Sequence, residues 1–569
     1  MFIKYEKKKK PDGTIKTYVR VVEGYRDRLG ITRMRSIKSY GTLEDQKDPK
    51  AFIKSIEQEI KSLERDQSHR INFSINLDDN ENNSNSNSTY NYGFKYLSRI
   101  YDSLKLDTFF DAYQKKLDKK IEYNLKDIFK YYTIERILNP GSKRASIVNI
   151  NRYYGTKYHF SLDDTYHSFS LLSTLFDDFQ THIRKQVDSI ITPNYTKIFY
   201  DVTNYYCEID LEDEENNLRH RGVSKEHRVD PIIGLGLFMD SNGLPIQIKV
   251  FNGNVAESKT LIPGIEELKK KHSQTRIVMV ADKGLNTTAN IEALTNQGDG
   301  YIFSQILKGK KGKRFQEKLF DNNGWIIVSN EYKYKLYKEN NQKVLLYWSK
   351  KEADLQKSKR NEKIFKALNS LTNNAFGIRH GYEKYLKDGL LDEKTGEYYS
   401  SDVLKKDRKL DTKKIEEDEK FDGYQCLITS ELDYSEKEIR KYYHELWEIE
   451  ETFKITKSDL EFRPIYHYKK EHIMVHFMIC YTSLLVLRLF QYKLKANDLR
   501  LSAERIVMVL NNMNLDIPVP GIVHLHRIGN NDDVWFDYVK INTALKINYN
   551  LAYDKEEKFN NYLKSILFT

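Results

Sequence analysis

Cysteine is almost missing from this chain. Cys207, Cys426 and Cys480 are three thiols in 569 residues, too few and too scattered for a disulfide framework or a zinc ribbon, so a reducing compartment is expected. No apolar run reaches the roughly 20 residues that a bilayer span needs. The longest, 473–487, contains His476 and reads as a buried helix, and no membrane partner is expected. The first ten residues include Lys7, Lys8, Lys9 and Lys10 and hold no apolar core, which argues against a signal peptide. No glycine-rich loop leads into Lys-Ser or Lys-Thr, so ATP-driven chemistry is not indicated. No Ser-His-Asp arrangement and no internal repeat stands out. His472 and His476 have zinc-compatible spacing, but no glutamate follows the first histidine, and they read as structural.

What the chain does have is positive charge. It carries 93 Lys and Arg against 82 Asp and Glu, a net +11 with a pI near 8.9. That balance favours a polyanionic partner. It equally fits a basic protein from an AT-rich genome, as the 41 tyrosines do, so charge alone does not decide. The length calls for three to five domains or subdomains.

Residues 1–70 read as a small β unit plus a helix, with β-rich runs at 17–25 and 31–40, a turn at Asp27-Arg28-Leu29-Gly30, and helical spacing at 51–63. A linker is expected over 71–91, where 78–89 is polar and of low complexity. Apolar residues then recur at helical intervals, and 92–190 reads as a helical module: a DNA-binding module, with Lys143, Arg144 and Arg152 near its breaks, or equally a helical spacer. From Thr196 the pattern turns to strands at 197–202, 232–239 and 245–251, a helix at 259–271, a strand at 276–281, a helix at 288–295 and a strand at 301–306. Asp240-Ser241-Asn242-Gly243 is a good hairpin turn between the second and third strands. Three antiparallel strands, a helix and a fourth strand give the order of an RNase H-like core. The predicted fold class is therefore α/β: a mixed sheet flanked by helices, its first part at 191–307 and its second at 421–495. A β-rich insertion at 308–420 interrupts it, and a C-terminal region follows at 496–569.

Three acidic residues carry the chemistry. Asp201 and Asp282 each end an apolar strand, which aims a carboxylate out at the edge of a sheet. Taken alone, each is more economically a turn or helix-start aspartate. Tyr443, Glu450 and Lys457 are spaced by seven and would line one helix face, beside an apolar stripe of Ile439, Leu446, Ile449, Phe453 and Leu460. The plain alternative is a surface Glu450–Lys454 pair. Converging carboxylates repel one another unless divalent cations lie between them, as two-metal phosphoryl transfer requires, and Mg2+ suits such oxygen ligands. Asn254 and Glu257 either line the site or belong to a turn at Gly253-Asn254.

Together these segments resemble a known family. Tyr200-Asp201-Val202-Thr203-Asn204, Gly222-Val223-Ser224-Lys225, Gly243-Leu244-Pro245-Ile246 and Gly253-Asn254 resemble the first half of bacterial insertion-sequence DDE transposases. Ala281-Asp282-Lys283-Gly284-Leu285-Asn286 is similar to the family's second-aspartate motif. Tyr443, Glu450 and Lys457 resemble the signature Tyr-x2-Arg-x3-Glu-x6-Lys, with Leu446 standing at the arginine position and Arg440 and Lys441 one turn earlier. Arg463-Pro464-Ile465-Tyr466-His467 fits the same branch. The resemblance runs from the N-terminal strands to about residue 490.

It implies an enzyme of the bacterial cytoplasm, acting at the nucleoid, that binds the terminal inverted repeats of its own element as double-stranded DNA. It implies cutting with Mg2+ (Mn2+ able to substitute) at Asp201, Asp282 and Glu450, and joining to target DNA, with two ends held by a homodimer. DNA contacts are expected from Tyr443, Lys457, Lys283, Arg440, Lys308, Lys310, Lys311, Lys313 and Arg314. The separation of 168 positions from Asp282 to Glu450 fits the subgroup with a β-rich insertion, which is associated with hairpin ends and a flipped base. Trp325 and Trp348 are the candidates for stacking on that base, against the plainer reading of core tryptophans. Two other readings compete: a catalytically inactive, repurposed DNA-binding protein, and an RNase H-like nuclease.

Overall fold

The computed structural model describes residues 1–10, 13–26, 32–66, 89–117, 120–192, 194–208, 212–214, 217–222, 229–272, 276–373, 381–387, 409–529, 532–547, 549 and 551–566. The Asp27–Gly30 turn, the linker through residue 88 and the Val223-Ser224-Lys225 motif lie outside the described residues. The chain divides into two compact units. One comprises Met1–Ser103, Arg144–His159 and Phe490–Thr569, the other Leu104–Lys143 and Phe160–Leu489.

The first unit holds an antiparallel sheet of Phe2–Lys9, Ile15–Arg26 and Thr32–Thr42, followed by the helix Pro49–Asp66. Val19 and Val21 on the central strand meet Ile56 and Ile60 on that helix. The C-terminal region folds as a second sheet in the order Tyr553–Lys555, Ile522–Leu525, Asn514–Val519 and Tyr90–Asn91.

The second unit is built on a nine-stranded sheet. Its order is Ile326–Ser329, Tyr332–Glu339, Gln342–Ser349, Tyr424–Thr429, Gly300–Ser304, Val278–Ala281, Lys197–Tyr206, Ile232–Met239 and Pro245–Asn252. Lys197–Tyr206 pairs antiparallel with Ile232–Met239 and parallel with Val278–Ala281. This is the mixed sheet of an RNase H-like core. The strands that follow residue 308 add to the far edge of this same sheet, through Gln342–Ser349 pairing with Tyr424–Thr429.

One face of the sheet is apolar throughout. Ile198, Tyr200, Val202, Met279, Ala281, Phe303 and Leu346 pack against Leu261, Ile265 and Leu268 of the helix Leu261–His272 and Phe315 and Leu319 of the helix Gly309–Phe320. On the other face, Tyr205, Leu235, Leu237 and Ile248 meet Phe453, Phe462, Phe477, Tyr481 and Leu484. The last three belong to the helix Lys470–Lys495, long and apolar enough by composition to cross a membrane, with 94% of its apolar window buried inside the protein. His476 is buried on it, and its Nε2 lies 3.1 Å from the Phe462 carbonyl oxygen.

Candidate active site

Asp201 does not end its strand. Lys197–Tyr206 continues for five residues beyond it, because Val202 to Tyr206 go on pairing with Gly236 to Ile232. Thr203 and Asn204, where a turn capped by Asp201 would lie, are strand residues here. Thr203 is buried, and Tyr205 reaches the Thr456 hydroxyl at 2.8 Å. Asp282 does follow the end of Val278–Ala281, and the chain then turns into the helix Thr288–Asn296, capped by Thr287.

The parallel register brings these two acids together. Lys197 pairs with Val278, Ile198 with Met279 and Phe199 with Val280; continued by two positions, this register puts Asp201 opposite Asp282, the residue just past the strand's end. Side chains alternate faces along a strand, and neighbouring strands lie about 4.8 Å apart. Ile198, Tyr200, Val202, Met279 and Ala281 occupy the apolar face, so Asp201 and Asp282 share the opposite one.

Asp282 is half-buried and held by two hydroxyls. Ser304 Oγ donates to its Oδ1 at 2.7 Å and the Tyr443 hydroxyl donates to the same oxygen at 3.1 Å. Ser304 ends the next strand, where the register Ala281↔Phe303 delivers it to this position. Burial pushes the Asp282 carboxyl up. Ser304, the Lys283 backbone N–H and Tyr443 outweigh it, and the pKa sits below the usual aspartate value. Burial, helped by the Asp282 charge, holds the Tyr443 hydroxyl well above the ordinary tyrosine range, so it stays a donor. Asp201 Oδ1 accepts the Val202 N–H at 2.8 Å. Glu257 stands against the same turn: a Cβ on Gly284 would come within 2.8 Å of its Oε2. Gly253-Asn254 is a turn, with Asn254 exposed.

Tyr443, Glu450 and Lys457 do not lie on one straight helix. Tyr443 is on Glu436–His444, Glu450 on Trp447–Lys454 and Lys457 in a π-turn, Ile455–Asp459. Between the two helices, Leu446 N–H bonds to Tyr443 O and Ile449 N–H to Leu446 O, three residues back instead of four. Leu446 is 4% exposed and lines the cleft that contains Glu450 with an apolar side chain, so the signature's arginine position carries no charge here. Ile449 is buried against the sheet and Glu450 is exposed.

Two clefts meet at Tyr443 and Gln425. The first, about 700 Å3, contains Asp282 and Ser304 and is ringed by Lys283, Lys308, Lys359, Arg360, Lys363 and Lys384. The second, about 960 Å3, contains Glu450 with Trp447, Tyr332, Arg440, Lys441 and His444. Lys308 and Lys384 reach opposite oxygens of Asp418, at 3.2 and 2.7 Å. Despite its burial, Asp418 is drawn down to about 2 by these two lysines and by Tyr385. Lys359, Lys363 and Lys384 were not among the expected contacts, because they stand far along the chain in charged helical sequence. Trp447, 46% exposed beside Glu450, is a second addition.

The remaining expected residues are distributed around these clefts. Lys310, Lys311, Lys313 and Arg314 are exposed on the helix Gly309–Phe320 and line neither cleft. Lys457 is half-buried and lines neither. Arg440 lies 4.1 Å from the Tyr332 ring centre and 3.5 Å from Glu436. Trp325 and Trp348 donate their indole N–H groups to the Asp321 and Asp422 carbonyls, each at 3.0 Å. Lys333 sits 4.9 Å from one ring and 5.9 Å from the other. Among the described residues, the group of three His, Cys, Asp or Glu with ligand atoms within 4.8 Å of one another is Asp516, His524 and His526, in the first unit. The carboxylates of Asp201, Asp282 and Glu450 do not draw together to that distance.

Residues 224–486 match the model of the transposase DDE domain, a span that includes Asp282 and Glu450 and begins after Asp201. Residues 3–72 match the N-terminal domain of IS1634 family transposases. The chain has the domain architecture of a DDE transposase related to the IS1634 family. No curated protein matches it. Among solved structures, it is similar to the piggyBac transposase synaptic complex with hairpin DNA, at 10% identity over 84% of each chain with a TM-score of 0.35. It is also similar to the Mos1 transposase paired-end complex with the left transposon end, at 10% identity over 45% of this chain and 68% of that one, with a TM-score of 0.14.

Proposed function

We propose that this protein is a DNA transposase that binds the terminal inverted repeats of an insertion sequence and carries out Mg2+-dependent strand cleavage and strand transfer. What supports this reading is the parallel register Phe199↔Val280, which when continued puts Asp201 next to Asp282, and the basic cleft that Asp282 lines, within a chain of DDE-transposase architecture. The donor set fits the cation: both acids offer oxygen, and Asp282 is ionised at neutral pH. Asp201 and Asp282 would hold the metal, with Glu450 as the third ligand. Bound Mg2+ would supply Lewis-acid activation of the attacking oxygen and stabilisation of the leaving one.

The protein's own groups do the rest. Ser304 and Tyr443 hold the Asp282 carboxylate charged and oriented. Lys283, Lys308, Lys359, Lys363 and Lys384 offer phosphate contacts along the first cleft, and Arg440 and Lys441 along the second. Lys310, Lys311, Lys313 and Arg314 would extend the backbone contacts from their helix, with Lys457 a further contact. Trp325 and Trp348 remain the proposed stacking residues for a flipped base. A homodimer holding two DNA ends, at the bacterial nucleoid, completes the reading.

The test is cleavage of DNA carrying the element's own ends, with Mg2+ and with EDTA, by the full chain and by Asp201→Asn. Expected is metal-dependent cutting at the ends, lost in the variant while end binding persists. Tight end binding with no cleavage in any divalent metal would instead support a repurposed DNA-binding protein. Preference for generic branched DNA over the ends would support a nuclease.

A further inference from the structure

The C-terminal sheet of the first unit gathers three metal-ligating side chains by its register alone. Asp516 on Asn514–Val519 pairs with His524 on Ile522–Leu525, and His524 pairs in turn with Tyr553. On the other side, Leu515 pairs with Tyr90, which brings Thr89 next to Asp516. His526 lies two residues beyond His524 and so on the same face, its N–H bonded to Asn514 O at 2.8 Å. His526 Nε2 stands 2.6 Å from Asp516 Oδ2, and His524 Nδ1 stands 3.9 Å from the same oxygen. All three ligand atoms lie within 4.8 Å of one another.

A simple ion pair would need one histidine. Here there are two, with ring centres 5.4 Å apart. The surroundings also fix the ligands. The Tyr553 ring stacks on His524 at 4.4 Å, and Thr89 Oγ1 donates to Asp516 Oδ1 at 2.9 Å, which leaves Oδ2 turned to the histidines. Groups that orient ligands in this way are the usual support of a metal site.

We propose that Asp516, His524 and His526 form a transition-metal site of the zinc class, with three protein ligands and a fourth position open. Two imidazoles and one carboxylate suit Zn2+ or Co2+ far better than Mg2+, which takes oxygen ligands. Tetrahedral coordination sets ligand atoms roughly 3.4 Å apart, within reach of small side-chain rotations from the present distances. The site shares no residue with the Asp201–Asp282 pair, and this inference does not rest on the function proposed for that pair.

The full chain would be loaded with Zn2+, dialysed against metal-free buffer and analysed for retained metal, beside His524→Ala/His526→Ala and Asp201→Asn. Expected is roughly one Zn2+ per chain in the unaltered protein and in Asp201→Asn, and at least tenfold less in the double variant, with excess Mg2+ failing to displace it. Equal retention by the unaltered protein and the double variant, or none by either, would overturn the proposal. Should the double variant fold poorly, the unaltered protein titrated with Co2+ gives a second reading. A tetrahedral visible band that added Zn2+ abolishes supports the site, and a spectrum no different from free Co2+ rejects it.

Discussion

Removing the Ser304 hydroxyl tests how Asp282 is kept charged. Ser304→Ala deletes the shorter of the two side-chain bonds to Asp282 Oδ1, at 2.7 Å, and leaves that of Tyr443 at 3.1 Å. A hydrogen bond to a charged group is worth about 1.5–3 kcal/mol, and partial exposure of Asp282 puts this one near the lower end. The lost bond favoured only the ionised carboxyl, so the variant binds a proton more tightly. The direction follows from linkage. The Asp282 pKa is below its unfolded value, so the benefit of ionisation is present at neutral pH and is lost as pH falls through the folded value. In the variant that loss begins at higher pH. The assay is the pH profile of Mg2+-dependent end cleavage: the acidic limb should move toward neutrality, with a loss of roughly tenfold on that limb and little change on the alkaline side. Tyr443→Phe should move it the same way, and the double variant further. A uniform drop at every pH, or a limb that moves the other way, would refute this account of Ser304.

Two further outcomes follow from the second unit. Asp418→Asn should free Lys308 and Lys384 into the first cleft. DNA affinity should then rise, and the plot of log K against log salt should steepen by about 1–2, as fluorescence anisotropy at several salt concentrations will read; a weaker complex with an unchanged slope would count against a DNA role for these lysines. Gly243→Ala should lower the thermal midpoint, because Gly243 has φ +76° and its new Cβ would press on the Glu448 carboxylate, at a backbone cost of about 1–2 kcal/mol; an unchanged midpoint would contradict the strain argument.

The core was legible where local pattern and tertiary structure agree. The run Val278 to Ala281 is apolar on both faces, as a central parallel strand must be, and its end at Asp282 follows from Lys283-Gly284. The hairpin at 240–243 was equally plain, since Asp240 and Gly243 close it with a bond of 3.0 Å. The extension of the Asp201 strand was not. Thr203 and Asn204 have turn chemistry, and only their pairing with Leu235 and Gly234 overrides it. The basic run at 308–314 read as charge alone, because the residues that make it a buried-face helix, Gly312, Phe315 and Leu319, declare themselves only against the sheet. Pairing of Asn514 with Asn91 joins residues more than 400 positions apart, and nothing local signals it.

The Glu450 segment exposes the deeper limit. From Tyr443 to Lys457 the sequence contains neither proline nor glycine, and its heptad spacing fits one continuous helix. The break comes from packing: Leu446 is drawn into the core, its turn tightens to bonds three residues long, and the chain later loosens into a π-turn. Residue identity can therefore nominate Glu450, but its direction depends on how the flanking helices seat on the sheet. Asp201 and Asp282 differ in kind. Their adjacency is a consequence of strand register, fixed by backbone hydrogen bonds that do not depend on either side chain. Substituting Asp201 by Asn should accordingly leave the sheet intact and remove only the charge, which is why loss of cleavage with retained end binding is a test of chemistry and not of folding.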